Sequence, residues 1–395
     1  MSPSTQQRTA AWTVYAAIGL AWVTTRVWAL ASVDMTPWML NDLDIYSAWL
    51  PRLQDGIFPA DDPTWQYPPG ISPVFLLSGL IPADFRWAFT LVILLADGII
   101  MAALMRAHAC RAGASWRGLW LWALAGLIVG SIMMVRFDVV PTMFAVGAVL
   151  LVARPALSGI STALGLTVKV WPALMLFVLP RRSLTRGVLA FIATTVVILG
   201  GFAILTDNSL SFVANQQARG LQVESVGALP YEIFTLFGGE VAFGLKYGSI
   251  QVLMQGTEIA GLIMTVTGLV LFALLAWARL SGRLETVPAG DVALAVMLVA
   301  VATSRVYSPQ FNVWLVGLAA VAMIDPTSRL RRVVAIVIVV SLLTQIVYPW
   351  SATQLVTGEP VAIIAQAARI VGLLAAVVLS LLALLRTPRA TTARR

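Results

Sequence analysis

Two aspartates that stand two residues apart are the first groups in this sequence that could do chemistry. They lie in Asp42-Leu43-Asp44-Ile45-Tyr46, which opens an acidic, proline-rich stretch between two apolar segments. A carboxylate can take a proton from an attacking hydroxyl group, and an Asp-x-Asp pair can bind a divalent cation through its oxygens. The pair therefore predicts either a general base or a metal ligand, with Asp42 and Asp44 as the candidates.

Polar side chains also gather at four other places, each next to an apolar segment. These places are RFDVVP, the turn at Lys169, QQARGLQVES and SRVYSPQ. The polar side chains in them are Arg136, Asp138, Lys169, Arg219, Gln222, Glu224, Arg305, Tyr307, Ser308 and Gln310. We therefore ask which elements would bring these groups together.

The composition indicates an integral membrane protein. The chain has 395 residues, of which 59% are hydrophobic and 11% are charged, whereas soluble domains carry roughly 25% charged residues. Apolar runs of about 20 residues recur, which is the length a helix needs to cross a bilayer. The predicted fold class is an all-α polytopic membrane protein, a bundle of about 12 transmembrane segments that forms one domain over residues 1–395.

The net charge of +8 arises from arginine clusters between the apolar runs, such as Arg181, Arg182 and Arg186. Clusters of this kind face the cytoplasm in membrane proteins, so we expect membrane lipids rather than nucleic acid as partners. The single cysteine, Cys110, excludes an internal disulfide. The single histidine, His108, falls in a cytoplasmic cluster, which argues against a histidine-based metal site.

The basic clusters fix a topology with both termini in the cytoplasm and several passes through the cell membrane. The predicted spans are residues 11–33, 84–105, 118–135, 139–153, 156–168, 171–180, 187–205, 256–278, 290–304, 308–323, 333–349 and 360–385. Two large extracytoplasmic loops follow, at 34–83 and 206–255. All five polar groups then lie on the outer face. Polar groups near a bilayer are costly and so are candidates for function, here group transfer on an anionic, lipid-linked substrate.

Two segments are too short to cross alone. Residues 156–180 are predicted to form a hairpin whose turn, Lys169-Val170-Trp171-Pro172, holds Lys169 near the outer surface, because proline ends one helix and opens the next. One long tilted helix with Lys169 reaching the surface is the alternative. The apolar residues 71–82 predict a helix that lies in the outer interface.

Each polar group also has a purely structural interpretation. Asn41 and Asp42 could cap a helix that begins near Ile45. Arg136 and Asp138 could form an ion pair with each other. The remaining structural alternatives are a rigid turn at Tyr67-Pro68-Pro69, a helix start at Ser308-Pro309-Gln310 with Pro309 in first position, and a pairing of Arg26 with Asp97 inside the bundle.

The order of these motifs resembles the GT-C glycosyltransferases, and more closely glycosyltransferase family 87 of actinobacteria, which includes polyprenol-phosphate-mannose-dependent α-1,2-mannosyltransferases. The resemblance covers residues 41–315. It is carried by DLDIYSAW, DGIFPADDPTWQYPPG, RFDVVPTMFAVGAVLL, GLTVKVWPALML, ARGLQVESVGALP and SPQFNVWL. It implies a helical bundle whose first outer loop carries the catalytic aspartate, with a groove open to the outer leaflet.

The resemblance also implies a reaction and roles for individual residues. A sugar, most simply mannose, would pass from a polyprenyl phosphate donor to a hydroxyl group of a lipid-linked glycan acceptor, with inversion. Asp42 would be the general base, with Asp44 as its rival. The donor phosphate would be bound by Lys169, Arg219, Arg305 and Arg136. The substrate-binding residues would be Tyr46, Asp138, Trp65, Tyr67, Gln222, Glu224, Tyr307 and Gln310. The apolar helix at 71–80 could hold the prenyl tail.

Several alternatives stay open at this stage. No metal or other cofactor is required, since Lys and Arg can neutralise one phosphate, although a divalent ion at Asp42 and Asp44 is possible. An arabinofuranosyl or glucosyl donor fits the same residues, and nothing in the sequence specifies an oligomeric state. A transporter or flippase of lipid-linked sugars is the alternative from another class, against which stand the long outer loops and the lack of inverted repeats.

Overall fold

The computed structural model describes residues 5–217 and 219–386, with side chains from Ala11 onward except at Gln217. The C-terminal arginines Arg389, Arg394 and Arg395 lie outside the described residues. The described helices are α1 (Thr5–Val33), α2 (Asn41–Gln54), α3 (Ser72–Leu80), α4 (Phe85–Ala109), α5 (Arg117–Ala123), α6 (Ala125–Val129), α7 (Val139–Leu150), α8 (Pro155–Val168), α9 (Leu184–Leu205), α10 (Phe212–Gln217), α11 (Leu229–Leu236), α12 (Thr257–Leu280), α13 (Ala289–Ala302), α14 (Phe311–Ile324), α15 (Arg331–Gln345), α16 (Ala352–Val356) and α17 (Pro360–Leu385).

Within these residues, six helical segments are long and apolar enough to cross a membrane. They are Ala11–Val33, Phe85–Ala109, Arg181–Leu205, Thr257–Leu280, Arg331–Trp350 and Pro360–Leu385. They carry large apolar side chains on their outer surfaces, as Val196 and Val197 do on α9, and such surfaces suit lipid. The predicted membrane protein is therefore supported by helix length and composition.

The other predicted spans correspond to shorter elements. α7, α8, α13 and α14 are apolar helices below spanning length. The segment predicted at 118–135 is broken into α5, α6 and a 3-10 turn at Ser131–Met133. The count of twelve spans stays a prediction.

The short helices form the centre of the bundle. Every residue of α14 is buried, and α13 is buried from Gly290 to Val299, as expected of helices that are apolar on all sides. α14 packs against α5, α7 and α13, and α7 packs against α8. α7 begins directly after Asp138 and α8 ends directly before Lys169, so this packing brings helix ends together at one end of the bundle.

An ion pair inside the bundle joins α1 to α4. Arg26 donates from Nε to Asp97 Oδ2 at 2.8 Å and from Nη2 to Asp97 Oδ1 at 2.9 Å. Both side chains are buried, and Arg26 also donates to the Ala123 carbonyl. The predicted structural pairing of Arg26 with Asp97 is confirmed.

The predicted break at Lys169 is also confirmed. α8 ends at Val168, Lys169 is extended, and the chain continues as a 3-10 helix, Trp171–Val178, that packs back against α8. Gly165 permits this close return because a Cβ atom there would lie 2.6 Å from Pro172 Cβ. The alternative of one long helix is wrong, and the second arm of the hairpin is 3-10 rather than α.

The two predicted outer loops pack on each other. Phe58 donates to the Asp207 carbonyl and Asp207 donates to the Gly56 carbonyl, both at 2.9 Å. The first loop contains α2 and α3, and α3 corresponds to the predicted short apolar helix. The second loop contains a β-hairpin, β1 (Phe243–Lys246) and β2 (Ser249–Val252), which the all-α prediction missed.

Close contact between α8 and α9 generates a stability prediction. A Cβ atom at Gly159 would overlap the carbonyl oxygen of Gly187. We expect Gly159→Ala to destabilise the fold by about 1–3 kcal/mol through overpacking, measured by thermal unfolding of the purified full chain. Gly200 on α9 has no neighbouring heavy atom within 4 Å, so Gly200→Ala is the control and should leave the melting temperature unchanged or slightly raised. Equal melting temperatures for the two variants would contradict the predicted contact.

Candidate functional site

Asp42 lies where two cavities meet. The smaller cavity has a volume of about 350 Å³ and the larger one about 670 Å³. Asp42 lines both cavities, with a side chain that is 27% exposed. Ser249 and Gln310 also line both. The Asp42 carboxylate can therefore contact groups bound on either side of it.

Local structure explains how Asp42 is presented. A 3-10 turn, Pro37–Leu40, runs directly into α2, which begins at Asn41 with no capping side chain among the described residues. The interpretation of Asn41 and Asp42 as caps of a helix beginning near Ile45 is therefore wrong. Asp42 occupies the first helical turn, where the helix dipole favours a negative charge.

Arg136 holds the Asp42 carboxylate in place. Its Nε atom lies 2.7 Å from Asp42 Oδ2, so the two side chains form an ion pair. Its Nη1 atom donates to the carbonyl oxygens of Met39 at 2.8 Å and Val135 at 3.0 Å. The arginine is buried and lines the larger cavity. Arg136 thus orients the carboxylate, a role different from the predicted one of binding the donor phosphate.

Asp44 is separated from this arrangement. It is exposed and lines neither cavity, because residues two apart on a helix do not face each other. The carboxylates of Asp42 and Asp44 are therefore not presented to the same cavity. Of the two candidate bases, the geometry favours Asp42.

Lys169 is bound to Asp138 inside an aromatic enclosure. Lys169 Nζ donates to Asp138 Oδ1 at 2.6 Å, and Trp314 Nε1 donates to the same oxygen at 2.8 Å. The four rings around Nζ, at 4.8 to 5.7 Å from their centroids, are Tyr67, Phe137, Phe311 and Trp314. Lys169 lines the smaller cavity, and the predicted pairing of Arg136 with Asp138 is wrong because each has a different partner.

Arg219 brings to the smaller cavity a positive charge that is less compensated than that of Lys169. Its Nη2 atom contacts Ser249 Oγ at 3.4 Å, and its Nε atom is buried with no hydrogen-bonding partner in the described part of the chain. It forms no ion pair with any acid among the described residues. Burial lowers the pKa of its guanidinium, opposed by the nearby Tyr67, yet arginine stays protonated in proteins.

Of three aromatic residues that were predicted to bind substrate, two line the smaller cavity and one packs behind its wall. Tyr46 and Tyr67 line the smaller cavity. Trp65 is fully buried and lines neither cavity, and its ring packs edge-on against Trp49 at 4.9 Å between centroids. Trp65 therefore supports the wall from behind, and the Tyr67-Pro68-Pro69 turn both positions a ring and leads into the 3-10 turn Pro69–Ile71.

The SRVYSPQ motif is only partly at the site. Gln310 and Ser308 line both cavities, but α14 begins at Phe311, two residues after the predicted Pro309. Arg305 is exposed, lines neither cavity and packs over Gly261 on α12. Tyr307 is buried under the guanidinium of Arg369, 3.9 Å from its ring centroid. The expected convergence of Arg305 with the other groups is not seen.

The second loop supplies Gln222 and Glu224 to the larger cavity. Glu224 Oε2 accepts a 2.7 Å hydrogen bond from Arg369 Nη1, and both side chains are buried. Burial raises the pKa of Glu224, while the guanidinium opposes this shift. Glu224 is therefore held on the cavity wall by an arginine from α17.

Several lining residues were missed from the sequence. The larger cavity is also lined by Tyr348, Trp350 and Gln354, in the segment that connects α15 to α17. Gly248 and Ser249 come from the β-hairpin, whose turn residues Tyr247 and Gly248 both have positive φ. Tyr348-Pro349-Trp350 was a usable signal, because a proline at the end of an apolar run interrupts a helix.

Glu232 is a buried carboxyl that forms no ion pair within the described part of the chain. It lies on α11, and neither of its oxygens has a hydrogen-bonding partner among the described residues. Burial raises its pKa well above the ordinary value, Arg369 opposes the shift and Glu224 reinforces it. Burial therefore favours the protonated form of Glu232 in the folded chain.

This proton generates a prediction about stability and pH. Above the ordinary pKa of a glutamate, the folded chain keeps the Glu232 proton that the unfolded chain has lost, so the free energy of unfolding falls as pH rises. Glu232→Gln keeps the shape without titrating. The melting temperature of the variant minus that of the wild-type protein should therefore increase as the pH rises above the ordinary pKa of glutamate. Glu240→Gln, at an exposed carboxylate in the same loop, is the control, and a pH-independent difference for Glu232→Gln would contradict the prediction.

The chain matches no protein-family model, no curated protein and no solved structure.

Proposed function

We propose that the protein is a membrane glycosyltransferase that moves a sugar from a polyprenyl phosphate donor to an acceptor hydroxyl group. The observation that carries this proposal is the position of Asp42 at the junction of two cavities, one of which also contains Arg219 and Lys169. A base between an anion-binding cavity and a second cavity is the arrangement that a two-substrate transfer requires.

The proposed reaction is a single displacement. The acceptor oxygen attacks the anomeric carbon and forms a new C–O bond, while the bond from that carbon to the phosphate oxygen breaks. The bonding electron pair leaves on the phosphate, and the acceptor proton passes to the Asp42 carboxylate, which acts as general base. The configuration at the anomeric carbon is inverted.

The smaller cavity suits the departing phosphate. Negative charge grows on the phosphate in the transition state, and preorganised cations stabilise such charge. The charge of Lys169 is already balanced by Asp138, whereas Arg219 has no acidic partner in the described chain. Arg219 is therefore the principal phosphate ligand in this proposal, and Lys169 adds to the positive electrostatic potential in the cavity.

An apolar wall continues from this cavity. It is lined by Met297, Ala300 and Val301 from the end of α13 and by Val306. The helix predicted to hold the prenyl tail, α3, does not contribute to either cavity; its Phe75 packs under Tyr46 instead, at 4.8 Å between ring centroids. We assign the first isoprene units to the α13 wall.

The sugar and the acceptor come from the family resemblance alone. The motifs shared with polyprenol-phosphate-mannose-dependent mannosyltransferases of glycosyltransferase family 87 favour mannose as the sugar and a lipid-linked glycan as the acceptor, on the extracytoplasmic side of the cell membrane. A donor comparison with the purified chain tests this assignment: faster transfer from an arabinofuranosyl or glucosyl phosphate lipid would replace mannose and leave the mechanism intact.

The base assignment generates a prediction. Asp42→Asn should lower kcat about 10²–10⁴-fold because the variant cannot take the acceptor proton, in an assay with polyprenyl-phosphate-mannose and a mannoside acceptor. Asp44→Asn is the matched control: it removes a carboxylate two residues away that lines neither cavity, so its rate should stay near that of the wild-type protein. A normal rate for Asp42→Asn, or equal losses in both variants, would remove the base assignment.

The assignment of Arg219 as the phosphate ligand generates a second prediction about activity. Arg219→Gln should lower kcat/KM for the donor about 10²-fold, the typical effect of removing one transition-state ligand. The melting temperature should stay unchanged, because the arginine has no ion-pair partner among the described residues. Arg305→Gln serves as the control, since Arg305 lies outside both cavities. If the two variants lose equal activity, the phosphate lies elsewhere.

A further inference from the structure

The larger cavity has walls of a different chemical character from those of the smaller one. Trp38 and Trp350 line it, and each is about half exposed, at 48% and 51%. The amide side chains of Gln222 and Gln354 line it as well, together with Thr353 and Glu224. Flat apolar faces beside hydrogen-bonding groups match a sugar, whose ring has C–H faces and a rim of hydroxyl groups.

The charges in this cavity are already balanced. Arg136 is paired with Asp42 and Glu224 is paired with Arg369. No cation that lines the larger cavity within the described residues lacks an acidic partner, in contrast to Arg219 in the smaller one. The larger cavity therefore favours a neutral ligand over a phosphate.

The segment that carries Gln222 and Glu224 is held in place by bonds to other segments. Gln222 donates from its backbone N–H to the Arg305 carbonyl at 3.0 Å, and Val223 donates to the Ile250 carbonyl of β2 at 2.9 Å. Glu224 is fixed by Arg369, whose Nη2 atom also donates to the Tyr307 carbonyl at 3.2 Å. This preorganisation reduces the entropy lost on binding.

We propose that the larger cavity binds a neutral hexopyranose ring, with Trp350 against the ring face and Gln222, Glu224 and Gln354 bonded to its hydroxyl groups. That this ring belongs to the acceptor rests on the proposed function. The volume of about 670 Å³ lies within the range of roughly 300–1,000 Å³ typical of small-molecule sites. Sugar recognition is thus shared by the second loop and the segment that connects α15 to α17.

The test uses the full chain in lipid nanodiscs, with octyl α-D-mannopyranoside as the probe and 1-octanol as the control for its tail. Trp350→Ala and Gln354→Ala are the variants, because both side chains are exposed and their loss should not disturb folding. Trp87→Ala is the matched control, since Trp87 is 53% exposed but lines neither cavity.

In the transfer assay, Trp350→Ala should raise KM for the mannoside about tenfold, which corresponds to about 1.4 kcal/mol of binding free energy. Gln354→Ala should raise it by about threefold. KM for the donor should stay within about twofold of its wild-type value in both variants, and Trp87→Ala should match the wild-type protein. An increase confined to the donor KM, or wild-type behaviour of both cavity variants, would overturn the proposal.

Direct binding separates this proposal from the proposed function. Octyl α-D-mannopyranoside should change the intrinsic tryptophan fluorescence in a saturable way, with Asp44→Asn behaving like the wild-type protein and Trp350→Ala losing the response. If no donor supports transfer while this binding holds, glycosyl transfer fails and the sugar site stands. Equal responses to the mannoside and to 1-octanol would refute the sugar site even if transfer occurs.

Discussion

The ion pair between Asp42 and Arg136 is the interaction on which the candidate site depends. Arg136 is fixed by two backbone carbonyl groups and by Asp42 Oδ2 at once. One carboxylate oxygen is thereby engaged, while Oδ1 has no hydrogen-bonding partner within the described residues. A base held in this way keeps a fixed direction, and fixed geometry is what makes proton transfer from a bound hydroxyl group efficient. The arginine's contribution is positional, and the cation that meets the substrate has to come from elsewhere.

Charge balance inside the bundle explains why Arg219 is the cation available to bind the substrate in the proposed reaction. Arg26, Arg136, Lys169 and Arg369 each pair with a carboxylate from a distant segment, as buried charges must, because removing one partner of a buried pair costs about 3–5 kcal/mol. Glu232 and Arg219 form no such ion pair among the described residues. Glu232 can become neutral by keeping its proton. Arg219 cannot lose its proton in a protein, so it retains a charge that an anion in the smaller cavity would balance.

Much of the fold follows from the sequence, because hydrophobic length and proline positions are local signals. The six long helices, the break at Lys169 and the short helix α3 belong to this group. Ion-pair partners cannot be predicted in this way, because a charged side chain pairs with a neighbour in space rather than in sequence. Arg136 and Asp138 are two residues apart, yet each pairs with a residue from another segment. The β-hairpin and the segment around Trp350 were missed for a related reason, since their few residues are placed by contacts with distant helices rather than by their own periodicity.

The two cavities are unequal in a way that fits the direction of the proposed transfer. Inversion requires the acceptor oxygen and the departing phosphate to lie on opposite sides of the anomeric carbon. A carboxylate at the junction of two cavities leaves room for both, with the uncompensated Arg219 on one side and balanced ion pairs on the other. A phosphate that entered the larger cavity would have to displace Asp42 from Arg136 or Glu224 from Arg369, each a loss of a buried pair. A neutral ring meets no such penalty there. In the proposed reaction, the distribution of charge therefore favours the phosphate in the smaller cavity and the sugar ring in the larger one, before any contact with a specific sugar is made.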